Sequence, residues 1–137
     1  MRMNRKITIV ALIVATIVIA LSVTLDSSLD ESIISQTIFV DAVYDPKSSI
    51  VKITYNDNSE NTNLVSLEIL GMDQTFHKEF SQSSFVETVK INSEPKYGWS
   101  TTPVVFSINH DEFGKIGLKT EIYEQGESKP RIIYSKI

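Results

Sequence analysis

The amino-acid sequence predicts an all-β domain, an antiparallel sandwich of seven or eight short strands, which follows one N-terminal apolar helix. From residue 38 onwards, apolar side chains alternate with polar ones over short segments, a pattern typical of strands with one buried and one solvated face. Clusters of Asn, Asp, Gly and Pro end these segments at intervals of about a dozen residues, as turns do. Residues 7–25 instead form an uncharged, mainly apolar run, which separates the helix from the sandwich.

The apolar helix is predicted over residues 7–25, an uncharged run in which Ile7, Leu12, Ile19 and Leu25 are among the apolar positions. At about 1.5 Å per residue, a helix of this length covers roughly 28 Å, close to the hydrocarbon thickness of a bilayer. The Ile, Val and Thr content of the run disfavours a helix in water. In lipid, however, a helix is the local structure that pairs every backbone group. We therefore expect residues 7–25 to anchor the protein in a lipid bilayer.

The charges around the apolar run predict its orientation. Arg2, Arg5 and Lys6 precede the run, whereas residues 26–137 carry the other ten basic side chains and all seventeen acidic ones. Basic residues resist translocation across a membrane. We expect residues 1–6 to stay in the cytoplasm and the C-terminal domain to lie outside the cytoplasmic membrane, as in a single-pass protein.

A cleaved signal peptide is the alternative interpretation of the same segment. Ala20 and Ser22 are spaced as the small residues of a cleavage site, after a basic start and an apolar stretch. Against cleavage, the apolar run continues to Leu25 and has no Gly or Pro before the proposed site. Either outcome exports the same domain, which would be secreted after cleavage. The chain has no cysteine, which excludes a cysteine-linked lipid anchor and disulfide bonds.

Residues 26–37 are interpreted as a polar stalk and residues 38–137 as one folded domain. Ser28 with Glu31 three residues later matches a capping box, but too few residues follow for a long helix. The roughly 100 residues that remain suffice for one domain and not for two. Without disulfides, this domain depends on its apolar core for stability.

The strands are predicted from eight alternating segments. In the first segment, Ile38, Val40, Ala42 and Tyr44 share one face. The eight segments, each ended by turn residues, are residues 38–44, 51–55, 65–69, 76–80, 85–91, 104–108, 116–122 and 132–137. Because no helical period separates them, two antiparallel sheets packed face to face, as in immunoglobulin and fibronectin type III domains, are the favoured arrangement. The Cys and Trp spacing of antibody domains is missing, so the prediction concerns architecture alone.

Three polar groups offer metal-binding side chains, and each has a simpler interpretation. His110 is followed by Asp111 and Glu112, but this triplet lies between two strand segments, where a solvated turn is expected. His77 alternates with polar neighbours and is predicted to lie on the surface. The loop over residues 56–61 offers oxygen ligands yet lacks the spacing of a calcium loop, which favours an ordinary connection between strands. We therefore expect no metal and no cofactor.

One aromatic cluster lies outside the strand pattern. Tyr97 and Trp99 flank Gly98 in a segment bounded by Pro95 and Pro103. Exposed aromatic rings on such a restrained loop would contact a sugar ring or a protein partner. Alternatively, Trp99 caps one end of the core. Tyr97 and Trp99 are the predicted contact residues of the protein.

The sequence contains no catalytic motif, since no serine lies in a G-x-S-x-G elbow and the five glycines are too scattered for a phosphate loop. The acidic C-terminal part argues against nucleic acid as a partner. These observations favour a non-catalytic binding or accessory module, anchored in the membrane, whose partner is a protein or glycan of the envelope or a membrane protein. An exported hydrolase is an alternative that would need a cleft with a catalytic cluster.

A filament subunit is a further hypothesis. The basic residues Arg2, Arg5 and Lys6, the long apolar run and the following β-domain resemble the layout of archaeal pilins and archaellins. The resemblance implies processing just before the apolar run and assembly into a filament. Those families are cut at a small residue after basic ones, whereas here Ile7 follows Lys6 directly.

Overall fold

The computed structural model describes residues 29–137. The predicted basic N-terminus and the predicted membrane helix over residues 7–25 lie outside the described residues. Within residues 29–137, no helix has the length and apolar character needed to cross a membrane. The compact unit that contains the sandwich extends from Glu31 to Ile137.

The described part of the chain consists of nine strands, one short α-helix and one 3-10 helix. The elements in order are α1 (Glu31–Thr37), β1 (Ile38–Asp45), β2 (Ile50–Asp57), β3 (Thr62–Ile69), β4 (Phe76–Phe80), β5 (Ser84–Lys90), the 3-10 helix (Trp99–Thr101), β6 (Pro103–His110), β7 (Gly114–Glu121), β8 (Tyr123–Glu124) and β9 (Ile133–Lys136). Each of the eight predicted segments overlaps one strand, which confirms the all-β prediction. The two-residue strand β8 is the additional one.

The strands form two sheets that pack as a sandwich. One sheet has the order β5-β2-β1-β8 and the other has the order β4-β3-β6-β7-β9. Neighbouring strands are antiparallel, as predicted, except that β1 and β8 are parallel, with Val43 opposite Tyr123. This exception arises because the chain leaves β7, buries Ile122 in the core and continues as β8 beside β1 in the opposite sheet.

The core lies between the two sheets and is made by the inward faces of the strands. Val104, Phe106 and Ile108 of β6 are all buried, as their shared face in the sequence predicts. Phe106 meets Tyr55 of β2 across the sandwich, with 6.1 Å between the ring centroids. Burying a side chain the size of Phe stabilises the folded state by on the order of 1.5–3 kcal/mol.

Residues 31–37 differ from the predicted stalk, because they form α1 against the domain. Ile34 is 1% exposed, and the backbone N–H of Asn58 donates a hydrogen bond to Thr37 O. The buried side chain of Ile34 and this hydrogen bond help to attach the polar segment to the sandwich, and the folded unit includes α1.

The sandwich has two ends, which we call the near end and the far end. The near end, where the chain enters β1, contains Ile38, Asp57 and His110. The far end contains the opposite ends of the same strands, at Asp45 and Pro103. Connecting loops lie at both ends, and the side chains with potential chemistry lie on these loops and on the strand termini next to them.

Candidate binding cleft at the far end

A cleft of about 670 Å³ opens at the far end of the sandwich. One wall is residues 71–74, which lie between β3 and β4, and the other is residues 90–97, which begin at the end of β5. Trp99 and Thr101 of the 3-10 helix also line the cleft. A volume of this size is within the range of small-ligand sites. The structure thus brings the predicted contact residues Tyr97 and Trp99 together in one concave surface.

Trp99 has features of both interpretations that the sequence left open. Its ring packs against Tyr44 of β1, with 4.8 Å between the ring centroids and 49° between the ring planes. The residue nevertheless remains partly exposed and lines the cleft. Tyr97 is 78% exposed. Trp99 therefore covers the far end of the core with one part of its ring and contributes surface to the cleft with another.

Hydrogen bonds within the loop order its backbone between Pro95 and Thr102. The Gly98 N–H donates to Pro95 O at 3.1 Å. Thr101 donates twice to Gly98 O, from its backbone N–H and from its hydroxyl. Thr102 donates twice to Trp99 O in the same way. A loop that is ordered in advance loses less conformational entropy when it binds a ligand.

A close approach between the β3–β4 connection and the 3-10 helix requires glycine at residue 71. Gly71 has a φ of +76°, which L side chains rarely adopt, and a Cβ built there would overlap the carbonyl oxygen of Thr101. Directly before it, the Leu70 N–H donates to Pro103 O at 3.0 Å. One wall of the cleft is thereby held against the 3-10 helix.

The charged side chains on the two walls balance each other. Asp73 and Glu94 are acidic, and Lys90 and Lys96 are basic. Lys96 Nζ lies 5.5 Å from the centroid of the Tyr97 ring, a distance typical of a cation–π interaction. The lining of the cleft therefore has no net formal charge.

The near end contains a buried polar cluster that the sequence analysis did not predict. The side chains of Asp57 and His110 are fully buried, and His110 Nε2 lies 3.1 Å from Asp57 Oδ2. The prediction of a solvated turn at His110 is wrong, because β6 continues through His110 and directs it inward on the same face as Ile108. Ser59 and Thr62 belong to the cluster, since their hydroxyls donate to the Asp57 carboxylate at 2.6 and 2.7 Å, and the Tyr55 hydroxyl donates in turn to Thr62 Oγ1 at 2.7 Å.

The tautomer of neutral His110 argues against nucleophilic catalysis by this cluster. The backbone N–H groups of Glu112 and Phe113 donate to His110 Nδ1, so Nδ1 carries no proton. Nε2 therefore holds the proton and points it toward Asp57 and Ser59. A nitrogen that already holds a proton cannot accept one from the Ser59 hydroxyl, which itself donates to Asp57. The Ser, His and Asp side chains thus do not form a nucleophile and base pair.

The Asp57 carboxylate also accepts hydrogen bonds from the backbone of the loop over residues 56–61. The N–H groups of Ser59 and Asn61 donate to its carboxylate oxygens at 2.9 and 3.0 Å. Burial would raise the pKa of Asp57, but the hydrogen bonds from Ser59, Thr62 and these backbone groups outweigh burial and lower the pKa. The loop is a structured connection between strands, as predicted. Within the described residues, no group of three or more His, Asp or Glu side chains is placed to hold a metal ion.

His77 lies on the surface, as predicted. Its Nδ1 is 2.9 Å from Glu68 Oε1, and both side chains are more than one third exposed. Exposed pairs of this kind contribute little to stability because water screens them. His77 belongs neither to the lining of the cleft nor to the buried cluster, and we assign it no role in binding.

Comparison with known proteins gives no significant match to a protein-family model, to a curated protein or to a solved structure. No family is therefore assigned to the chain. Its function has to be inferred from the cleft, the buried cluster and the sequence that leads into the domain.

Proposed function

We propose that this protein is a non-catalytic binding or accessory module, anchored in the cytoplasmic membrane, whose cleft contacts an envelope or membrane-protein partner. The proposal rests on the position of the cleft, which opens at the far end of the sandwich, whereas the chain enters at the near end. An apolar run long enough to span a bilayer precedes that point in the sequence. A domain that is tethered at the near end leaves a cleft at its far end accessible to a partner.

Strand β1 sets the scale of this separation. Its eight residues run from Ile38 at the near end to Asp45 at the far end. At about 3.4 Å per residue, the strand is roughly 27 Å long. Tyr97 and Trp99 therefore lie most of a domain's length from the point where a tether would attach, and a partner can reach them without displacing it.

The strand order supports an immunoglobulin- or fibronectin-like sandwich as the finer description of the fold. If β1 to β7 are named A, B, C, C′, E, F and G, the sheets have the orders E-B-A and C′-C-F-G. The same neighbours occur in immunoglobulin-type domains, where C′ extends the sheet beside C. Strands β8 and β9 are additions next to A and G. Such sandwiches commonly present binding loops at one end, which is the use proposed here for the far end.

Protease protection tests the proposed orientation, in which the N-terminus is inside and the C-terminal domain is outside. The orientation is supported by Arg2, Arg5 and Lys6 before the apolar run. Protease added to intact spheroplasts is expected to digest a tag placed after Ile137 and to spare a tag placed before Met1. Protection of the C-terminal tag until lysis would reverse the orientation, and recovery of the whole domain in the medium would show cleavage and secretion.

Retention on envelopes tests the cleft itself. Vesicles that carry the full chain are mixed with envelope fragments of the producing cells that still contain their membrane proteins. Tyr97→Ala is expected to weaken retention by about tenfold, because an aromatic side chain in a binding site commonly contributes more than about 1.4 kcal/mol. It is expected to leave the melting temperature unchanged, since Tyr97 is 78% exposed.

Val86→Ala is the matched control for this experiment. Val86 is 55% exposed on the edge strand β5 and does not line the cleft. The control is expected to retain vesicles as well as the wild type does. Equal retention by the two variants would contradict the assignment of the cleft as the contact surface.

A further inference from the structure

We propose that the cleft binds a neutral, multiply hydroxylated ligand, a short segment of an envelope glycan. This inference rests on the proposed function and specifies the ligand of the same cleft. Two features of the cleft select this chemistry: aromatic surface, part of which is packed against Tyr44, and uncharged polar groups on both walls.

The aromatic surface comes from Trp99 and Tyr97. Trp99 is held by the Tyr44 ring and by its hydrogen bonds with Thr102. Binding a ligand therefore costs little further conformational entropy at Trp99. Tyr97 presents a mostly exposed ring, with the Lys96 ammonium group near it. The apolar C–H face of a sugar ring packs on such rings, while its hydroxyl groups remain free to form hydrogen bonds at the rim.

Amide side chains on the two walls supply the matching hydrogen bonds. Gln74 belongs to the wall formed by residues 71–74, and Asn92 belongs to the wall formed by residues 90–97. Each amide has two N–H donors and one acceptor oxygen. A ligand rich in hydroxyl groups, each of which donates and accepts, can therefore bond to both walls at once.

Other ligand classes fit these walls less well. The two acidic and two basic side chains cancel, so a strongly charged chain gains no net attraction. An extended peptide binds most readily along an open strand edge, whereas the walls of the cleft are mainly the connections after β3 and after β5. A wholly apolar ligand would make no use of the hydrogen-bonding groups of Gln74 and Asn92, which line both walls.

Chemical treatment of the envelopes distinguishes a glycan from a protein partner. The vesicle retention experiment is repeated after periodate, which cleaves the vicinal diols of sugars, and separately after protease. We expect periodate to abolish the retention that depends on Tyr97, and protease to leave it unchanged. Retention that survives periodate but is lost after protease would overturn the glycan proposal and leave the proposed function intact. If untreated envelopes retain no vesicles, both proposals are wrong.

Trp99 fluorescence measures binding directly, because Trp99 is the single tryptophan of the chain. The full chain, in a detergent without a sugar head group, is titrated with neutral oligosaccharides of glucose, mannose and N-acetylglucosamine. Oligogalacturonate serves as the charged counterpart. We expect a blue shift and slower acrylamide quenching with a neutral oligosaccharide at millimolar concentration. The absence of a shift with every neutral oligosaccharide, or a larger shift with oligogalacturonate, would overturn the proposal.

A matched pair of variants assigns that signal to the polar wall. Gln74→Ala is expected to raise the dissociation constant of the responding oligosaccharide by about tenfold. Gln82→Ala makes the same change at an exposed residue of the near-end loop between β4 and β5 and is expected to have no effect. Equal dissociation constants for the two variants would overturn the role of the amide and, with it, the proposed ligand chemistry.

Discussion

The two ends of the sandwich contain similar polar side chains and use them in opposite ways. At the near end, the Asp57 carboxylate accepts hydrogen bonds from Ser59 and Thr62 and lies within hydrogen-bond distance of His110 Nε2. At the far end, Asp73 and Glu94 line a cleft that is open to solvent. Acidic residues therefore do not by themselves indicate a binding surface. They become available to a ligand where the loops do not enclose them.

The length of the connecting loops accounts for this difference. At the near end, residues 58–61 join β2 to β3 and residues 111–113 join β6 to β7. The first of these short loops wraps around the Asp57 carboxylate, and the second donates two backbone N–H groups to His110. At the far end, residues 70–75 join β3 to β4 and residues 91–102 join β5 to β6. Longer connections stand away from the sheet ends and enclose a concave space between them.

The largest expected effect comes from opening the near-end cluster. Asp57→Ala leaves the buried groups of Ser59, Thr62 and His110 without their common acceptor. The free energy of unfolding is expected to fall by about 3–5 kcal/mol, because each buried polar group left unsatisfied costs about 1–3 kcal/mol, as measured by urea denaturation of residues 29–137. Asp73→Ala makes the same change in the cleft, at an exposed residue, and should leave the midpoint unchanged. Equal losses in the two variants would remove the contrast between the ends.

A smaller effect is expected from forcing the cleft wall away from the 3-10 helix. Gly71→Ala introduces both an unfavourable backbone conformation and an overlap with Thr101. The matched control is Gly126→Ala, because Gly126 also has a positive φ but has open space where the Cβ would lie. Gly71→Ala should destabilise the domain by about 1–3 kcal/mol more than the control does and should change the Trp99 emission. Equal melting temperatures would mean that the close approach does not hold the wall.

The smallest effect is the acid sensitivity of the near end. The folded state lowers the pKa of Asp57, so its contribution to stability is complete above its unfolded pKa of about 3.9. That contribution is lost as the pH falls from there through the folded pKa. Urea midpoints measured from neutral pH down to strongly acidic pH should therefore fall less steeply for Asp57→Asn than for the wild type. Identical slopes would show that this carboxylate is not responsible for the acid sensitivity.

Alternation was sufficient to predict the strands, because the burial of one face is a local property of a strand. The same alternation also predicts that two polar residues of the near-end cluster face inward, although their polarity suggested turns. Asp57 continues the inward face of Tyr55, and His110 continues the inward face of Ile108. Polar residues at positions where the pattern calls for apolar ones indicate a buried network rather than a turn.

The sequence was sufficient to predict one wall of the cleft but not the other. Tyr97 and Trp99 could be selected because the prolines that flank them mark a restrained loop. The opposite wall, residues 71–74, meets the 3-10 helix because β3 pairs with β6, which places Ile69 opposite Val104. That pairing joins distant parts of the chain, and no local pattern encodes it.

The pairing of β1 has a mechanical consequence. Every residue of β1 has a partner in β2, and Val43 and Tyr44 also have partners in β8. A domain held before α1 and pulled at the cleft is loaded along β1, from one end of the sandwich to the other. Backbone hydrogen bonds of a ladder run perpendicular to the strands, so this load shears all the pairs together instead of opening them one at a time. If the domain is anchored as proposed, β1 is therefore also the link that resists force between the anchor and the cleft.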